Sequence, residues 1–224
     1  MKKSWVFAIS ALMIASLACS FGSILKGAAP GQPSNVLFKD DFSDTSSGWD
    51  SVNNADGVTD YTDGAYEIQV NTIGEKGNGL DMWANPGQDF SGDVRVEVDA
   101  TKIGGPDNND LGLICRYNKT SDNYNYYYFL ISSDGYVGIA KMVDSSSSII
   151  SGDQLVQSDT VKIGELNHIR ADCVGSKLTL YVNGQEAASA TDTTFTGGDV
   201  GLIAGTYDTP GTDIKFDNFV VTKP

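Results

Sequence analysis

The chain is poor in the residues that do most enzymatic work. It has one histidine, His168, and three cysteines. A Ser-His-Asp arrangement would hang on that single imidazole, and no Cys/His set is left for zinc once the cysteines are otherwise engaged. Gly-x-Ser-x-Gly, an EF-hand loop and a phosphate-cradling glycine motif are absent. Cations are scarce too: fifteen Lys and Arg stand against twenty-nine Asp and Glu, a formal net charge of −14. Such a surface repels polyanions, which argues against nucleic acid and anionic lipid as partners. Only five of the acids are Glu; Asp dominates, and Asp suits turns between strands. Long apolar runs are missing as well. Trp5 to Ala18 covers fourteen residues, short of the roughly twenty that cross a bilayer core.

What is present begins with that run. It follows Lys2 and Lys3 and ends at Ser16-Leu17-Ala18-Cys19, the build of an export signal. The four residues resemble a bacterial lipobox, with serine where leucine is commonest. The expectation is a signal peptide over 1–18 and acylation of Cys19, placing the protein on the outer face of a bacterial membrane through a lipid anchor only. A secretory signal cut elsewhere is the other reading. Residues 19–34 hold Gly22, Gly27, Pro30, Gly31 and Pro33 without hydrophobic periodicity and read as a flexible tether. Residues 35–224 are left for one domain.

That domain reads as strands. Tyr66, Ile68 and Val70 alternate with Glu67 and Gln69; Val94, Val96, Val98 and Ala100 alternate with Arg95, Glu97 and Asp99; Leu178, Leu180 and Val182 alternate with Thr179 and Tyr181. Asp63-Gly64, Asp134-Gly135 and Asn183-Gly184 tolerate the positive φ of tight hairpin turns. Roughly twelve to fourteen short strands with close turns predict an all-β, antiparallel sandwich or jelly roll. By the same alternation Cys115 shares a face with Leu111 and Leu113, and Cys173 with Ile169 and Ala171. Both point inward, and export to an oxidising compartment favours a Cys115–Cys173 bridge over two buried free thiols.

The segments Ile169 to Gly184, Gly198 to Gly205 and Ile214 to Val221, with the opening Asp40-Asp-Phe-Ser-Asp44 and Ser47-Gly-Trp49, resemble the concanavalin A-like lectin/glucanase superfamily. The resemblance spans about residues 35 to 222, and the branch it is most similar to is the laminin-G-like and 3-keto-disaccharide-hydrolase-like domains of bacterial lipoproteins. It implies a jelly roll of two curved sheets whose concave face often binds sugars. Family 16 hydrolases of this fold carry Glu-x-Asp-x-x-Glu on one strand. Here Glu97 and Asp99 are followed by Lys102 in the third place, so the pair reads as the solvated face of a strand.

Aromatics point to binding instead. Tyr124, Tyr126, Tyr127 and Tyr128 fall in one strand-like run, so one alternate set faces away from the core, where aromatic planes match the C–H faces of sugars. The candidate ligand-binding residues are Tyr126 and Tyr128, with Arg116 placed beside them by its phase opposite Cys115, and Trp83; the other reading is that these aromatics fill the two sheets and their rims. Acids near the two chain ends, Asp41 and Asp217 foremost, are candidate ligands of a structural calcium if terminal strands pair; the other reading is that they are turn and cap acids. The reading is a non-catalytic, extracellular carbohydrate-binding domain whose partner is a polysaccharide or glycan. The alternatives are a glycoside-hydrolase-like enzyme and an adhesive, protein-binding surface module. A cleft with two carboxylates about 5 to 9 Å apart would favour the enzyme, and a shallow aromatic groove without them would favour binding.

Overall fold

A computed structural model describes residues 35–77 and 79–224; Cys19 and the expected signal and tether boundaries lie outside the described residues. Its sixteen strands, numbered in chain order, form two sheets. The nine-stranded sheet contains β1 (Val36–Asp40), β2 (Val52–Asn53), β3 (Gly57–Thr62), β4 (Ala65–Val70), β6 (Val94–Gly104), β12 (Asn167–Val174), β13 (Lys177–Val182), β14 (Gln185–Thr191) and β16 (Thr212–Thr222). The seven-stranded sheet contains β5 (Leu80–Ala84), β7 (Asn109–Thr120), β8 (Asn123–Ile131), β9 (Tyr136–Val143), β10 (Ser146–Ile149), β11 (Val156–Gln157) and β15 (Asp199–Thr206). Every pairing is antiparallel. No α-helix occurs among the described residues. The fold is the expected jelly-roll sandwich of two curved sheets.

The alternation read from the sequence holds. Tyr66, Ile68, Val70, Val94, Val96, Val98, Leu178, Leu180 and Val182 are all buried between the sheets, and that burial is the main stabilising term. Asp63-Gly64 and Asn183-Gly184 turn their hairpins with positive φ at both residues, the backbone twist that matches flanking strands. The disulfide joins Cys115 of β7 to Cys173 of β12 and so ties one sheet to the other. β1 pairs with β16, so the domain's two ends meet as expected. The opening motif serves this junction: the Asp40 carboxylate accepts hydrogen bonds from Trp49 Nε1 at 2.9 Å, the Phe42 amide at 2.8 Å, and Ser47 Oγ.

One sheet departs from the usual pattern of a core face and a wetted face. Along β8, Tyr127, Phe129 and Ile131 enter the core, while Tyr126, Tyr128 and Leu130 are buried in a second cluster on the opposite side. This second cluster covers the face of the seven-stranded sheet turned away from its partner sheet, and the functional site is built there.

Candidate functional site

Strand register places the outer-face side chains in rows. One row runs Trp83, Ile203, Gly112, Leu130 and Gly138 across β5, β15, β7, β8 and β9. The next runs Ile114, Tyr128, Ala140 and Ile149. Small residues keep the floor low and aromatics raise the wall. Trp83 meets Tyr124 edge-on at 4.9 Å, and Tyr117 lies 6.4 Å from Tyr124 and 5.7 Å from Tyr126. Tyr126 is fully buried beneath these rings, with its hydroxyl unpartnered. Tyr128 is 4% exposed and bonds Ser147. Trp83, Tyr117 and Tyr124 keep partly exposed rings.

At the end of this face two carboxylates converge. Gly205 of β15 pairs with Asp81 of β5 on one side and with Asp110 of β7 on the other. One Oδ of each carboxyl lies within 3.0 Å of the point where a Cβ at position 205 would stand. The two oxygens are therefore less than twice that distance apart, which only a glycine between them permits. Asp81 and Asp110 line a groove of about 240 Å³ with Tyr128, Leu130, Leu155 and Tyr207. It adjoins a second hollow of about 630 Å³, with which it shares Ile149, Leu155 and Tyr207. Burial pushes the Asp81 carboxyl up to about 6, and burial together with the neighbouring Asp81 charge pushes Asp110 well above the carboxylate range. Two carboxyl groups so close titrate as a coupled pair, both pushed toward the protonated form. Burial also raises the Tyr128 hydroxyl to about 12 and the Tyr126 and Tyr207 hydroxyls further, with the two aspartates adding to each. The arrangement can accept hydrogen bonds from a ligand, or take up and return a proton.

Comparison with known proteins gives this sandwich its family. The model of the 3-keto-alpha-glucoside-1,2-lyase-like domain matches residues 34–222. The chain belongs to that family. Solved structures similar to this 3-keto-alpha-glucoside-1,2-lyase-like domain include the carbohydrate binding module CBM66 from Bacillus subtilis, 20% identical, with a TM-score of 0.61 over 79% of this chain and 96% of that one. A Bacillus licheniformis beta-glucanase is 10% identical, with a TM-score of 0.58 over 86% of this chain and 100% of the other. A Bacillus subtilis protein of unknown function with a galectin-like fold is 11% identical, with a TM-score of 0.61 over 86% and 97%. No curated protein matches the chain in sequence.

Within this 3-keto-alpha-glucoside-1,2-lyase-like domain the expected residues are placed unevenly. Tyr126, Tyr128 and Trp83 do share the outer face, opposite Tyr127 and Phe129. Tyr126 and Tyr128 are buried in it, so the expectation that their rings stack on a ligand is corrected, and of the three only Trp83 keeps a partly exposed ring. Arg116 does not join them, and that expectation is corrected. A β-bulge between Cys115 and Asn118 breaks the alternation of β7, and Arg116 sits in it with φ 56°, a bulge being the device that re-aims a side chain. Arg116 is 2% exposed and donates to the carbonyls of Phe195 at 2.7 Å, Gly175 at 2.9 Å and Cys173 at 3.3 Å. It clamps the backbone beside the disulfide and offers nothing to a ligand.

At the terminal junction Asp41 bonds the amide and hydroxyl of Ser43, and Asp217 bonds the amide of Asn218. Among the described residues no group of three or more His, Cys, Asp or Glu side chains is placed to hold a metal ion. His168 lies 2.7 Å from Asp99, whose other oxygen accepts from Asn218 at 3.0 Å. Sequence reasoning missed Asp81, Asp110 and Tyr207. The one signal was Asp81 two places before Trp83, hence on its face; nothing in the sequence says that Asp110 lies one strand beyond Gly205.

Proposed function

We propose that the outer face of the seven-stranded sheet binds carbohydrate, in a protein exported and tethered to the outer face of a bacterial membrane through Cys19. The observation that carries this is the outer face itself: partly exposed Trp83, Tyr117 and Tyr124 share it with a groove lined by Asp81, Asp110, Tyr128 and Tyr207, in which Asp110 Oδ1 is left unpaired. Aromatic planes supply apolar contact to sugar rings, and convergent polar groups supply orientation. Kinship in fold to the module CBM66 and to a beta-glucanase is consistent with that use of the surface. The test is a glycan array read with the detergent-solubilised full protein, with and without calcium. Binding that Trp83→Ala weakens supports the reading, and an array without any bound saccharide overturns it.

A second reading has the Asp81–Asp110 pair behind it. The family's descriptive name refers to a lyase acting on a 3-keto-alpha-glucoside. Removing a hydrogen from the carbon beside a ketone needs a base poised near the working pH, and a carboxyl raised to about 6 has that property. Release of free sugar from a 3-keto-alpha-glucoside by the wild type, and its loss in Asp81→Asn, would establish catalysis in place of binding alone.

A further inference from the structure

Asp110 is the least reconciled residue of the outer face. It is 5% exposed, and its Oδ1 has no hydrogen-bond partner, whereas buried polar atoms in folded proteins are nearly always paired. No ion pair among the described residues involves Asp110 or Asp81. The titratable groups facing them are hydroxyls, Tyr126 and Tyr128 from β8 and Tyr207 after β15. Leaving an acceptor buried and unsatisfied costs stability. A groove built this way is complete only when something brings hydrogen-bond donors to it.

We propose that Asp81 and Asp110 form a hydroxyl-anchoring subsite that takes two neighbouring hydroxyl groups of an uncharged saccharide. The inference rests on the carbohydrate-binding reading of the groove and assigns its chemistry. Two carboxyl oxygens less than 6 Å apart, as the bound at Gly205 requires, can each accept from one member of a vicinal hydroxyl pair. At Gly205 the two carboxyl oxygens stand where a side chain would otherwise be, and both residues line the groove from which a ligand would reach them. Tyr207, partly exposed, and buried Tyr128 flank the pair. An anionic sugar, uronic or sulfated, would bring a further negative charge against two carboxyls in a protein of net charge −14, and the site rejects it by the same electrostatics that repel nucleic acid. The inner groove of about 240 Å³ is smaller than a typical whole-ligand pocket, and the adjoining 630 Å³ hollow, with Asn108, Asp134 and Gln154 on its walls, accommodates the rest of a chain.

The test is calorimetric titration of the detergent-solubilised full protein with neutral oligosaccharides and with uronic-acid-containing counterparts of the same linkage. Wild type, Asp81→Asn, Asp110→Asn and Trp83→Ala are compared, each checked by its thermal transition. Neutral sugars should bind, and their uronic counterparts should bind at least about tenfold more weakly. Each asparagine variant should lose roughly tenfold or more while remaining folded, the loss expected when a carboxyl acceptor for a ligand hydroxyl is replaced by an amide. Folded asparagine variants with wild-type affinity overturn the subsite while leaving the groove reading intact, provided Trp83→Ala still weakens binding. Acidic sugars bound as tightly as neutral ones also overturn it. Binding abolished by a chelator and restored by calcium would mean that the pair holds a cation instead. Absence of binding by every saccharide overturns the groove reading and the subsite with it.

Discussion

The acid pair and Arg116 are the residues where environment outweighs identity. Asp81 and Asp110 keep a proton in the folded protein that the unfolded chain releases above about pH 4. The folded state thus binds more protons than the unfolded one, so stability falls as pH rises from about 4 through 6 and beyond. Asp110→Asn should raise the melting temperature at pH 7 to 8 and flatten that decline, as measured by calorimetry across pH. Some slope will persist, because burial also raises Asp199 to about 6, as it does Asp213, where Glu67 adds to the effect. Asp192 works in the other direction. Burial opposes its ionisation, but Lys141 at 2.6 Å, Thr194 and Tyr127 overcome this and hold its carboxyl low. Its contribution is present above about pH 4 and is lost as pH drops further. Arg116→Ala should destabilise by on the order of 2–4 kcal/mol, since three backbone carbonyls lose their donor. Arg116→Lys should recover little, because one ammonium cannot reproduce the fork. A merely exposed, ligand-facing arginine would give neither result.

Strands show what could be read in advance and where the reading stopped. Alternation put Tyr126 and Tyr128 opposite Tyr127 and Cys115 inward with Leu113, and both placements hold, because a period of two survives any strand order. It failed one residue after Cys115, where the bulge inserts an extra position and turns Arg116 inward. Bulges leave no mark in hydrophobic pattern. The acid pair was illegible for a different reason: Asp81 and Asp110 meet only because β5 and β7 both flank β15, and strand order is a long-range property. Gly205→Ala tests that construction at the level of the sheet. Its methyl group would fall among both carboxylates, so overpacking of about 1–3 kcal/mol should lower the melting temperature by several degrees and close the groove to ligand. Ala204→Gly, one residue away on the core face, should cost stability while leaving affinity per folded molecule unchanged.

The whole sandwich is held by apolar burial between two sheets, with one covalent tie across it. Reducing Cys115–Cys173, which closes 58 residues, removes roughly 4 kcal/mol in the loop-entropy account, on the order of ten degrees of melting temperature. Scanning calorimetry with and without reductant measures it. At this scale the fold was legible because patterning, turn residues and cysteine phase all agreed. The two tryptophans of residues 35–224 carry a further consequence. Trp49 is 5% exposed in the core, whereas Trp83 stands on the outer face among Tyr117, Tyr124 and Tyr126. Residues 35–224 therefore hold one shielded fluorophore and one on the outer face, the latter ringed by tyrosines that feed it excitation energy. Acrylamide should quench the second and spare the first. A ligand settling on the outer face would announce itself as a change in the emission of Trp83, with no label attached.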